Sequence, residues 1–162
     1  MVSDSTPADF WVKGYERLVK QGWFASLTAL AYHQRGDVLA VAGGGGQILL
    51  LNLQTLQASE PKKLESGIRC LCFGQSGQLF VGLDNGSIAC LTSQEGLQLL
   101  SVKASRKPVT SLLWSADYGL LVAAEDRQLR RLAPETLEEI CASVKLRWVG
   151  HDLTLIQQGQ QL

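Results

Sequence analysis

The 162-residue sequence has no excess of charge of either sign. Fifteen Lys and Arg residues balance fifteen Asp and Glu residues, and the formal net charge is zero. A nucleic-acid clamp needs a basic stripe, and a membrane-surface anchor needs a polybasic cluster. We therefore expect neither a nucleic-acid partner nor a membrane partner. With 46% hydrophobic residues, the composition also differs from that of disordered chains, which combine low hydrophobicity with high net charge.

The sequence also lacks long hydrophobic runs. Its apolar runs, such as residues 48–51, are far shorter than the roughly 18 residues that a membrane-spanning helix needs. The first twenty residues, MVSDSTPADFWVKGYERLVK, contain neither the basic region nor the apolar region of a secretory signal peptide. These features predict a soluble protein in the cytoplasm.

Cysteine and histidine are scarce, and their spacing matches no zinc site. The four cysteines form no C-x-x-C pair, and there are only two histidines: Cys70, Cys72, Cys90, Cys141, His33 and His151. Structural zinc sites need four such ligands at recognisable spacing. We expect no metal, no cofactor and buried, reduced thiols, with a disulfide framework or a metal site as the alternatives.

Glycine is abundant, at 16 residues, and part of it belongs to an internal repeat. Three segments of about 31 residues begin at Leu27, Ile68 and Val109, with steps of 41 residues. The aromatic residue at the sixth position of each segment recurs as Tyr32, Phe73 and Trp114, and Val38, Leu79 and Leu120 open the second apolar run. Ile48, Ile88 and Leu129 mark the third run at steps of 40 and 41, so one residue is predicted to be deleted in the glycine-rich turn.

Each repeat has the pattern of a four-stranded antiparallel sheet. The first run alternates, the second is almost wholly apolar and therefore buried on both faces, and tight turns separate the runs. The dipeptide Asn85-Gly86 is the strongest hairpin signal in the chain. Four-stranded units at a step of ~40–45 residues are typical of β-propeller blades.

The units resemble WD40 repeats, most clearly over residues 68–92. The matching positions there are Leu71, Phe73, Gly77, Leu79, Asp84, Gly86, Ile88 and Leu91. The Trp-Asp dipeptide is absent, as is the Gly-His pair before each first strand, and the turn Asp is kept only as Asp84. The buried Asp–His–Ser/Thr–Trp hydrogen-bond network of the family therefore cannot form in its usual version. We expect degenerate repeats held by apolar packing rather than by a polar network, with a related propeller family as the alternative.

The resemblance implies an all-β fold of about three and a half WD40-like blades preceded by a short helix. Residues 1–26 form the helical segment, because Thr6-Pro7-Ala8-Asp9 is a capping box followed by apolar residues at helical spacing. Residues 27–162 form a partial propeller. Its predicted blades lie near 27–58, 68–102 and 109–142, with a partial blade at 144–162 that begins with the alternating Val144, Leu146 and Trp148.

Common propellers have about four to eight blades, and an open blade face exposes apolar surface. Three outcomes stay open: a homo-oligomer that completes the ring, completion by blades of another protein, or a truncated fragment without independent function.

Motifs for catalysis are weak. The run Gly43–Gly46 lacks the Lys and Ser/Thr of a phosphate-binding loop, and the repeat makes it a hairpin turn. His151 beside Asp152 falls in a turn rather than in an acid–base arrangement. The one basic concentration, Arg127, Arg130 and Arg131 with Lys103, Arg106 and Lys107, is either a patch for an acidic partner or a solvated rim.

We therefore expect a non-catalytic scaffold that binds other proteins. In propellers, turns at the rims present contacts while the sheets hold them in place. The candidate rim contacts, chosen because they fall in turns, are Arg35, Asp37, Asn85, Tyr118 and Arg127. The alternative function is a propeller enzyme, a hydrolase or cofactor-binding protein with its site at the central channel.

Overall fold

The computed structural model describes residues 26–149 except 34, 36, 56 and 93–97, together with residue 153. The predicted N-terminal helix lies outside these residues, as do most of residues 150–162. The described part folds into antiparallel β-sheets with the strand order of propeller blades, which confirms the predicted all-β class. The chain divides into two compact units, residues 1–68 and 69–162.

The first unit contains one sheet, blade 1. Its strands are β1 (Leu27–His33), β2 (Val38–Gly43), β3 (Gln47–Asn52), β4 (Gln57–Ala58) and β5 (Lys62–Lys63). Both β4 and β5 pair with β3, so the outer strand is in two pieces. Between them, the Ser59 amide donates to the Leu50 carbonyl and the Leu50 amide donates to Ser59 Oγ. These bonds make an outer-strand bulge that the sequence pattern did not predict.

The second unit contains blades 2 and 3. Blade 2 comprises β6 (Ile68–Phe73), which begins one residue before the unit boundary, β7 (Leu79–Leu83), β8 (Ser87–Thr92) and β9 (Gln98–Lys103). Blade 3 comprises β10 (Val109–Ser115), β11 (Gly119–Ala124), β12 (Gln128–Leu132) and β13 (Val144–Lys145). Each sheet follows chain order. All five residues of β7 are buried, as its continuous apolarity predicts.

The end of blade 3 differs from the prediction. Val144 and Lys145 pair with Leu129 and Gln128, so they form the outer strand of blade 3 and not the first strand of a fourth blade. The segment predicted as that outer strand, residues 137–142, contributes one bridge, Glu139 to Leu132. Two non-contiguous contacts replace one strand here, and alternation of side chains does not reveal such an interruption.

The one-residue difference between repeats also lies elsewhere than predicted. Leu39, Leu79 and Leu120 occupy equivalent places, since they pair with Leu51, Leu91 and Leu132 respectively. The structural match for Leu79 is therefore Leu39 and not Val38. Blade 1 keeps its extra residue in the turn between β1 and β2, and the glycine-rich turn has the same length in all three blades.

The core of the second unit forms where one face of blade 2 packs on one face of blade 3. The buried residues of this core are Phe80, Ile88, Cys90, Val109, Leu112, Leu120, Val122, Leu132 and Leu137. The rings of Phe80 and Trp114 stack with their centroids 6.2 Å apart. The Trp114 amide also donates to Cys72 Sγ over 3.1 Å. Blade 3 thus fixes its inner strand against blade 2 through both apolar and polar contacts.

Candidate functional site

The five candidate rim residues lie at two opposite ends of the sheets. In an antiparallel sheet, the turn after the first strand and the turn after the second strand are at opposite ends. Arg35, Asp37 and Tyr118 belong to first turns, whereas Asn85 and Arg127 belong to second turns. Within the second unit, Tyr118 therefore lies at the end of the sheets opposite to Asn85 and Arg127, whereas Arg35 and Asp37 belong to the first unit.

In blade 1, Asp37 is engaged in holding its own turn. Its Oδ1 accepts a hydrogen bond of 2.8 Å from the Tyr32 hydroxyl, and its Oδ2 accepts one from Gln54 Nε2. The Asp37 backbone lies in the left-handed region, with φ of 46°, which Asp tolerates better than most residues. The neighbouring Arg35 is exposed. Asp37 is thus mainly structural, and Arg35 is the more accessible residue of this turn.

At the first-turn end of blade 3, Tyr118 belongs to a small exposed patch. Tyr118 is 54% exposed, and the Arg131 guanidinium lies 5.9 Å from the centroid of its ring. Arg131 Nε also donates to the Tyr118 carbonyl over 2.6 Å. Ile140, 48% exposed, approaches this turn, since its Cδ1 would lie 3.9 Å from a Cβ built on Gly119. We call Tyr118, Arg131 and Ile140 the Tyr118 patch.

The sequence pattern identified Tyr118 but neither of its companions in the patch. The sequence places Arg131 only in a basic concentration, and its position opposite Leu121 follows from the strand register. Ile140 reaches the patch because its amide donates to the Arg131 carbonyl, in the interrupted outer segment that sequence alternation could not place.

At the second-turn end, the candidates Asn85 and Arg127 flank an exposed ion network. Arg69 contacts Asp84 Oδ1 at 3.2 Å and Glu125 Oε1 at 2.7 Å, and so joins the turns of blades 2 and 3. Asn85 Oδ1 accepts from the Ser87 amide over 2.9 Å, which makes Asn85 a turn-forming residue. Arg127 is exposed. Ion pairs this exposed contribute about 0–1 kcal/mol, so the network aligns the turns more than it stabilises them.

A polar network exists in the second unit, contrary to the expectation of apolar packing alone. Arg130 is 8% exposed, forms an ion pair with Asp126, and also donates to Gln128 Oε1 over 3.2 Å. Ser105 Oγ, in the segment before β10, donates to Asp126 Oδ2 over 3.0 Å. The network links a turn, a strand and the preceding segment; it shares an Asp and a Ser with the WD40 network, but its cation is Arg130 instead of the family's His. The family pattern, read position by position, could not reveal this substitution.

Asp126 is held in its charged form by this network. Burial raises the pKa of its carboxyl, but the hydrogen bonds from Arg130, the Gln128 amide and Ser105 outweigh burial, and the net pKa is lowered from 3.8. Because Arg130 forms an ion pair with Asp126, its guanidinium is not available to an acidic partner. The basic concentration predicted from the sequence is therefore divided between a buried ion pair and exposed rim residues.

The cysteines of blade 2 are poorly suited to nucleophilic catalysis: Cys90 is buried, and Cys70 and Cys72 are half-buried. Burial raises the pKa of Cys70 to about 12, and burial also raises the pKa values of Cys72 and Cys90. The thiolate is the reactive form, so these three thiols are protonated at neutral pH. None of the described cysteines is in a disulfide.

We expect Cys141, which is exposed, to react first with iodoacetamide in the folded chain. Cys70, Cys72 and Cys90 should react at least about 100-fold more slowly, because reaction requires both a thiolate and access. Mass spectrometry of peptides after timed labelling measures this order. In Cys141→Ser, the fast phase should disappear. Fast labelling of Cys70 in the unaltered chain would contradict the packing described for blade 2.

The described ranges contain neither a metal-binding cluster nor a membrane-spanning helix. Within them, no three His, Cys, Asp or Glu side chains are grouped so that they could hold a metal ion. No helix in that part of the chain is long and apolar enough to cross a membrane.

Comparison with known proteins gives one curated sequence relative. No protein-family model matches the chain. Telomerase protein component 1 of Rattus norvegicus is 35% identical to it over 100 residues, which is 60% of this chain but 4% of that protein. The chain thus spans a small fraction of the length of this relative.

Solved structures similar to the chain include β-propeller blades. The computationally designed Ika4 protein matches 81% of this chain and 80% of its own, with 18% identity and a TM-score of 0.70. The β-propeller domain of Cps50 (Swd1) from Myceliophteria thermophila matches 76% of this chain and 43% of its own, with 16% identity and a TM-score of 0.66. A chain of the mitotic checkpoint complex matches 73% of this chain and 38% of its own, with 15% identity and a TM-score of 0.65. At these identities the likeness concerns the fold, and the fold is that of β-propeller blades.

Proposed function

We propose that this chain is a non-catalytic scaffold of the WD40-repeat type that binds another protein through the Tyr118 patch. The observation that carries the proposal is an exposed aromatic ring with a guanidinium against it, held at the end of a buried sheet. Tyr and Arg are enriched among the residues that dominate the energies of protein interfaces. The mitotic checkpoint complex, one of the structural neighbours, is an assembly of proteins, and this agrees with such a role.

The patch is held in place before any partner arrives. Arg131 bonds to the backbone of residue 118, and β12 places Arg131 opposite the half-buried Leu121. A side chain fixed in this way loses little conformational freedom on binding, so more of the contact energy contributes to affinity. The chemistry of the patch fits a partner surface with an apolar groove for Tyr118 and Ile140 and a carboxylate near Arg131.

The remaining candidate residues have lesser roles in the proposal. Asp37 and Asn85 shape their turns through the hydrogen bonds described above. Arg35 and Arg127 are exposed and are proposed as peripheral contacts that affect the association rate more than the affinity. The cytoplasmic location expected from the sequence stays a prediction.

We expect Tyr118→Ala to weaken partner binding at least about 30-fold, the loss typical of a central interface aromatic. The chain is expressed in cells as a fusion with a proximity-labelling enzyme, and the proteins labelled by the unaltered chain are compared quantitatively with those labelled by the variant. The direct partner is then purified, and its affinity for both chains is measured by calorimetry.

The control for this experiment is Trp148→Ala. Trp148 is 72% exposed, more than Tyr118, and the Arg147 guanidinium lies 5.3 Å from the centroid of its ring, so it is an exposed aromatic–cation pair outside the patch. Trp148→Ala should keep the partner, and both variants should unfold at the temperature of the unaltered chain. If Tyr118→Ala binds the partner as tightly as Trp148→Ala does, the patch is not the binding surface.

The alternative of a propeller enzyme has no supporting observation among the residues that the structure describes. Detection of a stoichiometric metal by elemental analysis of the purified chain would favour that alternative and weaken the scaffold proposal.

A further inference from the structure

The outer strand of blade 2 leaves a long backbone edge unpaired. Strand β9 has six residues and pairs with β8 along its whole length; among the described residues, no strand pairs with its other side. The outer strands of the other blades are broken instead, since β4, β5 and β13 have two residues each. Native edge strands are usually protected by such shortness, by bulges, by charges or by proline. Strand β9 has one charged residue, Lys103 at its end, and no proline.

The strand register shows which backbone groups of this edge point outward. The Ala104 amide, just after β9, donates to the Gly86 carbonyl over 3.2 Å, and these two positions are opposite each other in the β8–β9 register. The backbone groups of an antiparallel strand alternate between its two sides. The amides and carbonyls of Leu99, Ser101 and Lys103 therefore point away from β8. We call these backbone groups the β9 edge; they are the donors and acceptors that an added strand would use.

Exposed cations continue directly from this edge. Lys103, Arg106 and Lys107 are exposed, and none of them forms an ion pair with a described residue. The carboxylates of the neighbouring second turns are already engaged, with Arg69 or with Arg130. The end of β9 therefore carries an excess of positive charge, which favours an acidic ligand.

We propose that the β9 edge binds an extended, acidic peptide segment of a partner protein, which adds to blade 2 as a fifth strand. Antiparallel pairing is the commoner and slightly more stable arrangement, so the acidic residues of the partner precede its paired residues and reach the cations that follow β9. A second copy of this chain fits less well, because it would bring the same cations and neutralise none of them. Backbone hydrogen bonds supply the affinity in this mode of recognition, and the charges fix the direction of the added strand.

A synthetic peptide tests the proposal with the full chain. The probe has about eight residues, with glutamates at its start followed by alternating valine and threonine, and its binding is measured by fluorescence anisotropy. Ser101→Pro should weaken binding at least about tenfold, because proline removes an outward amide and leaves the β8–β9 bonds in place. Ser101→Ala, the matched control, keeps that amide and should bind as the unaltered chain does. Equal binding by the two variants, or no saturable binding to the unaltered chain, would overturn the proposal.

A pair of charge reversals tests the preference for an acidic ligand. Arg106→Glu should weaken binding of the probe at least about tenfold at low salt, and the loss should shrink as the salt concentration rises. Lys63→Glu makes the same change of charge on the outer strand of blade 1 and should bind the probe as the unaltered chain does. If both reversals weaken binding equally, the attraction is not specific to the β9 edge and the proposal is wrong.

Further measurements cover misfolding of Ser101→Pro and the other occupant of the edge. If that variant loses the circular dichroism of the unaltered chain, a probe N-methylated throughout its valine and threonine residues replaces it, and this probe must fail to bind. Sedimentation measures self-association, and a dimer that the probe dissociates would overturn the proposal in favour of a second copy. The inference adds a second surface to the proposed scaffold and does not depend on the Tyr118 patch. Tyr118→Ala should bind the probe normally, so the two proposals fail separately.

Discussion

Replacing Gly86 with Ala should lower the free energy of unfolding of the second unit by about 2–4 kcal/mol. Gly86 has φ of 83°, where a residue with a Cβ is strained. A Cβ there would also lie 2.3 Å from the Ser105 carbonyl oxygen and 2.6 Å from the Lys107 carbonyl oxygen. Both are backbone atoms, so the segment before β10 has to move.

That movement has further consequences, because the same segment is tied to the turn. The Gly86 carbonyl accepts from the amides of Ala104 and Ser105 over 3.2 and 2.9 Å. Ser105 in turn donates to Asp126. Displacing residues 104–107 therefore weakens the contact between blades 2 and 3 as well as the turn. Urea unfolding followed by tryptophan fluorescence, to which Trp114 packed against the core contributes, measures the change in stability.

Arg127→Ala is the matched control. Arg127 occupies the turn position of Gly86 in blade 3, since its amide donates to the Ala124 carbonyl as the Gly86 amide donates to that of Leu83. It already carries a Cβ at φ of 62°, so Ala there should change stability by at most about 0.5 kcal/mol. If the two alanine variants lose the same stability, the close approach of residues 105–107 to Gly86 is wrong.

These turns also illustrate how far the sequence predicts the fold. Asn85-Gly86 predicts its hairpin because positive φ and the Asx hydrogen bond are local properties of those residue types. In blade 3, Arg127 occupies the equivalent position with positive φ although it is not a glycine. Only the 41-residue repeat identifies it as the equivalent turn residue. The repeat step therefore carried information that local propensity did not.

The outer strands and the site were less predictable for a common physical reason. A buried strand is constrained on both faces and shows continuous apolarity, whereas an outer strand at the edge tolerates a bulge or interruption with little change in composition. Val144, which the sequence pattern assigns to a fourth blade, lies in such an edge. Ile140, which the pattern does not place in the patch, lies there too. Ile140 belongs to that edge, and the register of β12 positions Arg131. The sequence alone therefore does not show that either residue lies close to Tyr118.

The Asp126–Arg130 pair should be the other large contributor to stability. Arg130→Met should lower the free energy of unfolding by about 2–4 kcal/mol, because it leaves a largely buried carboxylate without its cation. Arg131→Met is the control: Arg131 is half-buried, its guanidinium lies on the rim ring of Tyr118, and the loss should be below about 1 kcal/mol. Chemical denaturation at pH 7 compares the three chains, and equal losses for the two variants would contradict the buried network.

The pH dependence gives this prediction a second test. The folded pKa of Asp126 is lowered from 3.8, so its contribution is fully present above the unfolded pKa and is lost as pH falls below 3.8 towards the folded value. Without Arg130, the pKa of Asp126 rises. The stability gap between the unaltered chain and Arg130→Met should therefore be constant above about pH 5 and narrow on acidification. A gap that does not change with pH would mean that lost packing, rather than lost charge, explains the variant.

The double variant Asp126→Asn with Arg130→Met separates the ion pair from the turn. Asp126 Oδ1 accepts a hydrogen bond of 3.0 Å from the Gln128 amide. Asn at position 126 keeps an oxygen for this bond and removes the negative charge that Arg130→Met leaves without a partner. We expect the double variant to be more stable than Arg130→Met alone, because removing both charges costs less than leaving one buried. Blade 2 already has this arrangement, with Asn85 bonded to the Ser87 amide and Ala89 at the position of Arg130. The same blade framework thus accommodates the uncharged pair Asn85 and Ala89 in blade 2 and the ion pair Asp126–Arg130 in blade 3. It does so provided that both members of the pair change together.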